Sequence, residues 1–241
     1  MGSCDPGLPR RGGINAGNGR ERKRDRQHAE PDGLSARSRQ AVFSLPASKG
    51  FLLAGGAALL AQHLTTRPTE DLDFFTAPEP GRVPAARDAL EAAARDRGWR
   101  TERIHDTDTF CRMVIRSSTA EVLTDLAVNA PPDFPPSLTA VGPTLAPEEL
   151  AGHKLLALYD RAVARDFVDV YLLAQRFGQD VLLARAAQID MGLDTRVLAD
   201  MIATLGRFTD DEIPVPGGLP ISEVRAFYAT WRSGLMTRDS G

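Results

Sequence analysis

The sequence predicts an α+β fold: a small mixed sheet with flanking helices, followed by a helical C-terminal region. Short strand-like segments are concentrated before residue 130, and the segment at 109–116 alternates apolar and polar residues as half-buried strands do. Helix start and stop signals dominate after residue 147. A proline-rich stretch at 131–147 separates these two parts. We therefore expect a sheet-containing core at 36–146 and a helical domain at 147–241.

The first part alternates strands with helices. A strand ends at Gly55 and Gly56, where a short amphipathic helix begins, and Asp71-Leu72-Asp73 opens a second strand. A turn rich in proline and glycine then precedes a longer amphipathic helix. The predicted elements are helices at 57–64 and 84–97 and strands before residue 55, from residue 71, and at 99–105, 109–116 and 121–128.

The second part is predicted to be a series of helices. Pro147 suits the first position of a helix that runs to about residue 161, and two glutamates follow it in the first turn. A break near residue 164 makes Asp166 a natural N-cap of the next helix, and Gly178 suits its C-terminal end. Further helices are predicted at 179–190, 195–206 and 220–232.

The N-terminal segment at 1–35 differs in composition from the rest. It is rich in glycine and arginine and lacks aromatic residues, so burial cannot offset the entropy lost on ordering it. We expect a disordered basic tail, which is either a weak RNA-attracting arm or an upstream extension of little consequence. Neither a signal-peptide core nor an apolar run of about 18 residues is present, so a cytoplasmic protein without a membrane partner is expected.

Two short motifs suggest chemistry. Side chains two residues apart share one face of a strand, so Asp71 and Asp73 project together and can seat a divalent metal. Gly55 and Gly56 lie where a strand gives way to a helix, and backbone amides there can hold phosphate oxygens. Each motif alone is usually an ordinary turn or strand edge. Their order and their separation by one short helix favour nucleotide chemistry.

Two further residues add to this pattern. Asp125 is a single acid in an otherwise apolar strand, which is costly unless it is paired or bound to metal. Alone it fits a salt bridge as well as a ligand role, but beside Asp71 and Asp73 the ligand role is favoured. Lys154 is one of only three lysines among 29 lysine and arginine residues, and a compact ammonium suits a triphosphate.

Helical spacing places more charged residues near Lys154. On a continuous helix of about 100° per residue, Lys154, Arg161, Arg165 and Asp169 fall on one stripe, whereas Asp166 lies off it. If the helix breaks, Asp169 still faces inward. We favour the broken helix, with Asp169 as the functional acid.

The motifs resemble those of nucleotidyltransferases in the AbiEii/AbiGii toxin-like family, which includes the MenT toxins. Gly55-Gly56 corresponds to its hydrophobic-Gly-Gly/Ser motif, and Asp71-x-Asp73 to its paired acids. Lys154 with the later Arg-Asp-x-x-Asp segment corresponds to its downstream signature. One departure is that Ala57 and Ala58 replace the Ser or Thr that often supplies a phosphate-binding hydroxyl. The resemblance predicts a nucleotidyltransferase-type sheet in the core.

The resemblance also implies a set of site residues and partners. Two divalent ions, Mg²⁺ or Mn²⁺, would be held by Asp71, Asp73 and Asp125. Catalysis would depend on Asp71, Asp73, Lys154 and Asp169. The nucleoside triphosphate would be held by Gly55, Gly56, Arg67, Lys154, Arg161 and Arg165, although Arg67 could instead pair with Asp71.

The expected acceptor is RNA, with the 3′ end of tRNA as the leading candidate, and the expected setting is a toxin–antitoxin or phage-defence pair with a cognate antitoxin. Thr69 is a candidate regulatory residue, because an extended strand aims its hydroxyl to the side of Asp71; a turn-capping role is equally compatible. Two other functions remain open: transfer to a small molecule, and a member that binds without catalysis.

Overall fold

The computed structural model describes residues 33–69, 71–79 and 82–238. The predicted tail lies outside the described residues up to residue 32, and the first helix already begins at the buried Leu34. The helices are α1 (Leu34–Ser44), α2 (Gly55–Ala61), α3 (Arg82–Asp96), α4 (Pro147–Asp160), α5 (Ala164–Phe177), α6 (Gln179–Ile189), α7 (Thr195–Ala203) and α8 (Ile221–Arg238). The strands are β1 (Leu52–Ala54), β2 (Asp71–Thr76), β3 (Arg100–Asp106), β4 (Phe110–Arg116), β5 (Glu121–Val128), β6 (Ser137–Thr139) and β7 (Gly142–Thr144).

The strands form one mixed sheet in the order β3-β4-β5-β2-β1-β7-β6. β2 runs antiparallel to β1 and parallel to β5. The parallel register sets Asp73 beside Asp125, and the antiparallel register sets Ala54 beside Asp73. The end of β1, where α2 begins, therefore meets the acidic start of β2. This mixed sheet with flanking helices and a helical C-terminal region confirms the predicted fold class.

The two faces of the sheet have different roles. Leu53, Leu72 and Phe74 are fully buried on one face, where the Phe43 ring of α1 packs edge-on against Phe74 at 5.5 Å. Because side chains alternate along a strand, Asp71, Asp73 and Phe75 project from the opposite face. Helix α4 covers part of that face, with His153 packed against Phe75 at 5.7 Å.

The C-terminal helices pack through large apolar and aromatic side chains that belong to the same hydrophobic core as the sheet. Phe167 of α5 is fully buried, and the Tyr228 hydroxyl of α8 donates a 2.7 Å hydrogen bond to its carbonyl oxygen. Trp231 stacks near Tyr228, with ring centroids 6.1 Å apart. The contacts between Phe167 and Tyr228 hold α5, which carries several charged residues of the site, against α8. Within the described residues, no helix is both long and apolar enough to cross a membrane.

Three local features differ from the sequence-based expectations. Helix α1 was not predicted. The short strands β6 and β7 were not predicted either, because three-residue strands in a proline-rich stretch have little pattern of their own. α2 begins at Gly55 rather than at residue 57. The predicted N-cap role of Asp166 is wrong: Val163 is the N-cap of α5, and Asp166 is a buried residue of its first turn.

Candidate active site

The glycine pair forms a tight junction between β1 and α2. Gly55 has φ +59°, and a Cβ at this position would lie 1.8 Å from Asp73 Oδ2. A Cβ at Gly56 would lie 3.0 Å from Thr69 Oγ1 and 3.2 Å from Arg67 Nη2. Glycine is therefore required at 55 both by its backbone conformation and by the proximity of the Asp73 carboxylate. The junction therefore brings the start of α2 next to the Asp73 carboxylate.

The absence of Ser or Thr after the glycines has a structural explanation. Ala57 and Ala58 are completely buried in the apolar core. A hydroxyl on either residue would be enclosed there and would not reach the cleft. The hydroxyl of Thr69 instead lies beside Gly56 and lines the cleft.

Asp73 is at the centre of the cleft. Burial raises its pKa, and the nearby Asp125 and Asp71 carboxylates raise it further, whereas Lys154 and Arg161 lower it. No ion pair to Asp73 is present within the described residues. A cation at this position would relieve the repulsion among three carboxylates.

The other two acids of the cluster have arginine partners. Arg165 Nη1 donates to Asp71 Oδ2 at 3.0 Å, and Arg112 donates to Asp125 through Nε at 2.9 Å and Nη2 at 2.6 Å. Both arginine side chains are more than 40% exposed, at 43% for Arg165 and 42% for Arg112. The arginine side chains can therefore rotate into solvent, but Asp125 is only 10% exposed, so its carboxylate would then need another cation.

Arg112 is a site residue that sequence reasoning missed. The β4–β5 register places it directly opposite Asp125. The alternation of β4 could have assigned it to the acidic face, because Cys111 and Met113 on either side are fully buried. Its pairing with Asp125 could not be derived without the register of the hairpin.

Beneath the cleft, one buried carboxylate holds two cations. Asp169 is fully buried, and its Oδ2 accepts from Lys154 Nζ at 2.9 Å. Arg67 donates to the same carboxylate through Nε at 3.2 Å and Nη2 at 2.9 Å. Arg67 therefore pairs with Asp169 and not with Asp71, and its predicted contact with a phosphate stays a prediction. We call Arg67, Asp169 and Lys154 the buried triad.

Arg161 has a separate partner. It donates to the fully buried Asp166 through Nε at 2.9 Å and Nη2 at 3.1 Å, while its own side chain is 48% exposed. The break after α4 separates Arg161 from α5, yet both helices contribute to one cleft. The residues that line this cleft include Gly56, Arg67, Thr69, Asp71, Asp73, Arg112, Asp125, Lys154, Arg161 and Arg165.

The three carboxylates of the cleft differ from a complete metal site. Within the described ranges, no three His, Cys, Asp or Glu side chains form a ready-made metal-binding group. In this structure Arg112 and Arg165 pair with Asp125 and Asp71. The donor set itself consists of carboxylate oxygens, the ligands that Mg²⁺ and Mn²⁺ prefer. The residues therefore fit such an ion once the two half-exposed arginines turn away.

The chain matches one protein family and resembles several solved structures. Residues 41–216 match the nucleotidyl transferase AbiEii toxin family of type IV toxin–antitoxin systems. No curated protein matches. JHP933 from Helicobacter pylori is 18% identical with a TM-score of 0.52, over 86% of this chain and 94% of that one. The nucleotidyltransferase toxin MenT4 from Mycobacterium tuberculosis is 16% identical with a TM-score of 0.54, over 84% and 82%.

The structural likenesses establish a shared fold, and the family match covers most of the chain, including β1, β2 and the charged helices α4 and α5. The glycine junction, the paired acids and the buried lysine all lie within that match. The chain belongs to the AbiEii nucleotidyltransferase toxin family and is a nucleotidyltransferase.

Proposed function

We propose that this enzyme transfers a nucleoside monophosphate from a nucleoside triphosphate to the 3′ end of an RNA, with tRNA as the acceptor. The observation that carries the proposal is the contact of the glycine junction with Asp73. It puts potential phosphate-binding amides beside three carboxylates in one cleft. In the transfer, the acceptor 3′ oxygen bonds to the α-phosphorus, and pyrophosphate leaves.

The chain's own residues have distinct tasks in this proposal. The amides at Gly55 and Gly56 and the ammonium of Lys154 hold the triphosphate. Asp169 keeps Lys154 in position from below. Asp71, Asp73 and Asp125 would hold Mg²⁺ or Mn²⁺, which when bound activates the acceptor hydroxyl and neutralises charge on the leaving group.

The charge at the rim of the cleft supports a nucleic-acid acceptor. Arg112, Arg161 and Arg165 are each between 42% and 48% exposed. If Asp71 and Asp125 held a metal, the guanidinium groups of Arg112 and Arg165 would be free to bind phosphates. A polyanionic acceptor gains more binding free energy from these arginines than a small neutral acceptor does.

Family membership supports a toxin–antitoxin setting. In a type IV toxin–antitoxin system the partner of this chain is a cognate antitoxin, and modification of tRNA in the cytoplasm would halt translation. The regulatory role of Thr69 belongs to the same proposal, because its hydroxyl lies beside Gly56 at the proposed phosphate site.

The test is an acceptor screen. Purified protein is incubated with Mg²⁺, total tRNA and each α-³²P-labelled triphosphate in turn, and the RNA is resolved by electrophoresis. Labelling of tRNA by at least one triphosphate is expected. Periodate-oxidised tRNA, which lacks a 3′ hydroxyl, is the matched control and should stay unlabelled.

Three results would contradict the proposal in different ways. Labelling of the oxidised tRNA would exclude the 3′ hydroxyl. Labelling of an aminoglycoside but of no RNA would keep the enzyme class and change the acceptor. Failure of every triphosphate with both acceptors would refute the proposed reaction.

A further inference from the structure

A second cavity adjoins the proposed active site. It is lined at one end by Arg161, which also lines the cleft of the carboxylates. Its volume is about 240 Å³, below the range of roughly 300–1,000 Å³ typical of pockets that enclose a whole drug-sized ligand. We call it the Arg207 groove; its other main residues are Val163, Met201, Thr204, Arg207 and Phe208.

The turn between α4 and α5 shapes this groove. Ala162 has φ +44°, a left-handed conformation that is unfavourable for a residue with a Cβ. Arg161 and Val163 flank this turn, and Arg161 pairs with Asp166 on the protein side. Val163 is consequently left 37% exposed, an apolar surface beside a cationic one.

Two arginines line the groove, and among the described residues only Arg161 is paired with an acid, Asp166. Arg161 uses Nε and Nη2 for Asp166, which leaves Nη1 outside that pair. Arg207 is exposed, and within the described part of the chain no ion pair to it is present. No acidic residue is among the described residues that line the groove.

The floor of the groove is apolar and includes an aromatic ring. Phe208 packs edge-on against the buried Phe167 with ring centroids 6.2 Å apart, which fixes the ring from the protein side. Val163 and Met201 add flexible or exposed apolar surface. Arginines beside an aromatic ring are the pattern of single-stranded nucleic-acid sites, where phosphates contact arginines and bases stack on rings.

We propose that the Arg207 groove binds the 3′-terminal nucleotides of the RNA acceptor, with phosphates on Arg161 and Arg207 and a base against Phe208. This inference rests on the proposed function, and it assigns the acceptor a site separate from that of the triphosphate. The triphosphate has its own amides and lysine at the glycine junction. The groove continues from the cleft through Arg161, so an RNA end that lies in it leads towards Asp73.

The test uses charge changes that the fold tolerates. Arg207→Glu reverses an exposed charge in the groove. Val163→Asp adds a carboxylate at the N-cap of α5, where Asp is favoured over Val, so folding should not suffer. Arg95→Glu is the matched control, because Arg95 is an exposed residue of α3, which contributes to neither cavity.

The readout is binding, with no need for transfer. Fluorescence anisotropy is measured with a short 5′-fluorescein single-stranded RNA that has a free 3′ hydroxyl. We expect Arg207→Glu and Val163→Asp each to raise the Kd about tenfold, and Arg207→Glu to lower the slope of log K against log salt by about one. Arg95→Glu should leave the Kd unchanged.

Transfer assays separate this inference from the proposed function. The groove variants should raise KM for the RNA acceptor while KM for the triphosphate stays the same. If both variants bind the RNA with the Kd of the wild type, the groove assignment is overturned, even if the enzyme labels tRNA. Loss of neutralisation by the antitoxin with unchanged RNA binding would assign the groove to a protein partner and overturn the inference. If the wild type binds no RNA, both the groove and the RNA acceptor are refuted.

Discussion

Removal of the Asp169 charge should destabilise the protein more than any other single carboxylate change in α5. In Asp169→Asn, Lys154 and Arg67 lose their shared counter-ion while their side chains stay only 8% and 10% exposed. Breaking a buried ion pair by removing one partner costs about 3–5 kcal/mol. For a chain of this size, that loss corresponds to a fall in Tm of roughly 6–20 °C.

Asp166→Asn is the matched control for this prediction. Asp166 is also fully buried in α5, but its partner Arg161 is 48% exposed and can be rehydrated. Removal of the Asp166 charge should lower the free energy of unfolding by about 1 kcal/mol. Urea titrations of both variants, followed by far-UV circular dichroism, give the two free energies of unfolding.

A rescue variant separates lost charge balance from lost packing. The triple change Asp169→Leu, Lys154→Met and Arg67→Met removes all three charges and should recover most of the loss. Equal losses in Asp169→Asn and Asp166→Asn would refute the buried triad as described. So would a triple variant less stable than Asp169→Asn alone.

Changes at three other residues have defined outcomes. Lys154→Ala should lower kcat/KM for the triphosphate by the equivalent of about 1.5–3 kcal/mol, with little effect on RNA binding. Unchanged kinetics would show that this lysine does not bind the triphosphate. Thr69→Glu should suppress transfer and Thr69→Val should retain most of it, and equal activities would exclude electrostatic control at this position. Burial lowers the pKa of His153, with Glu149 raising it and Arg185 lowering it, so the folded protein should lose stability as the pH falls below 6.5. In urea titrations, the free energy of unfolding of His153→Gln should fall less between neutral and acidic pH than that of the wild type. An unchanged pH dependence would contradict this interpretation.

The fold and the members of the cleft were largely accessible from sequence. Period-two alternation and helix signals sufficed for β2, β4, β5 and the C-terminal helices, because each pattern is local. The structure lines one cleft with Gly56, Asp71, Asp73, Asp125 and Lys154, residues that short motifs also pointed to. Their roles in catalysis remain predictions.

The features that sequence reasoning missed depend on distant contacts. Arg67 and Asp169 are separated by 102 residues and meet only because α5 packs beneath the cleft. Arg112 meets Asp125 through a hairpin register that the turn decides. Asp166 looked like an N-cap because Asp is favoured there, but its carboxylate is occupied by Arg161. Strands β6 and β7 depend on pairing with β1 and each other, which no local pattern reveals.

The most direct test of the central claim is the rate of ³²P transfer to tRNA by Asp73→Asn in Mg²⁺, compared with wild type and with Asp96→Asn, an exposed acid on α3. We predict that Asp73→Asn lowers the rate by about 10³-fold, a loss of roughly 4 kcal/mol. It should unfold at the same or higher urea concentration, because burial and two neighbouring carboxylates disfavour a charge on Asp73. Asp96→Asn should match the wild type. Transfer by Asp73→Asn at the wild-type rate, or undiminished wild-type transfer in excess chelator, would contradict the assignment of this cleft as a metal-dependent nucleotidyltransferase site.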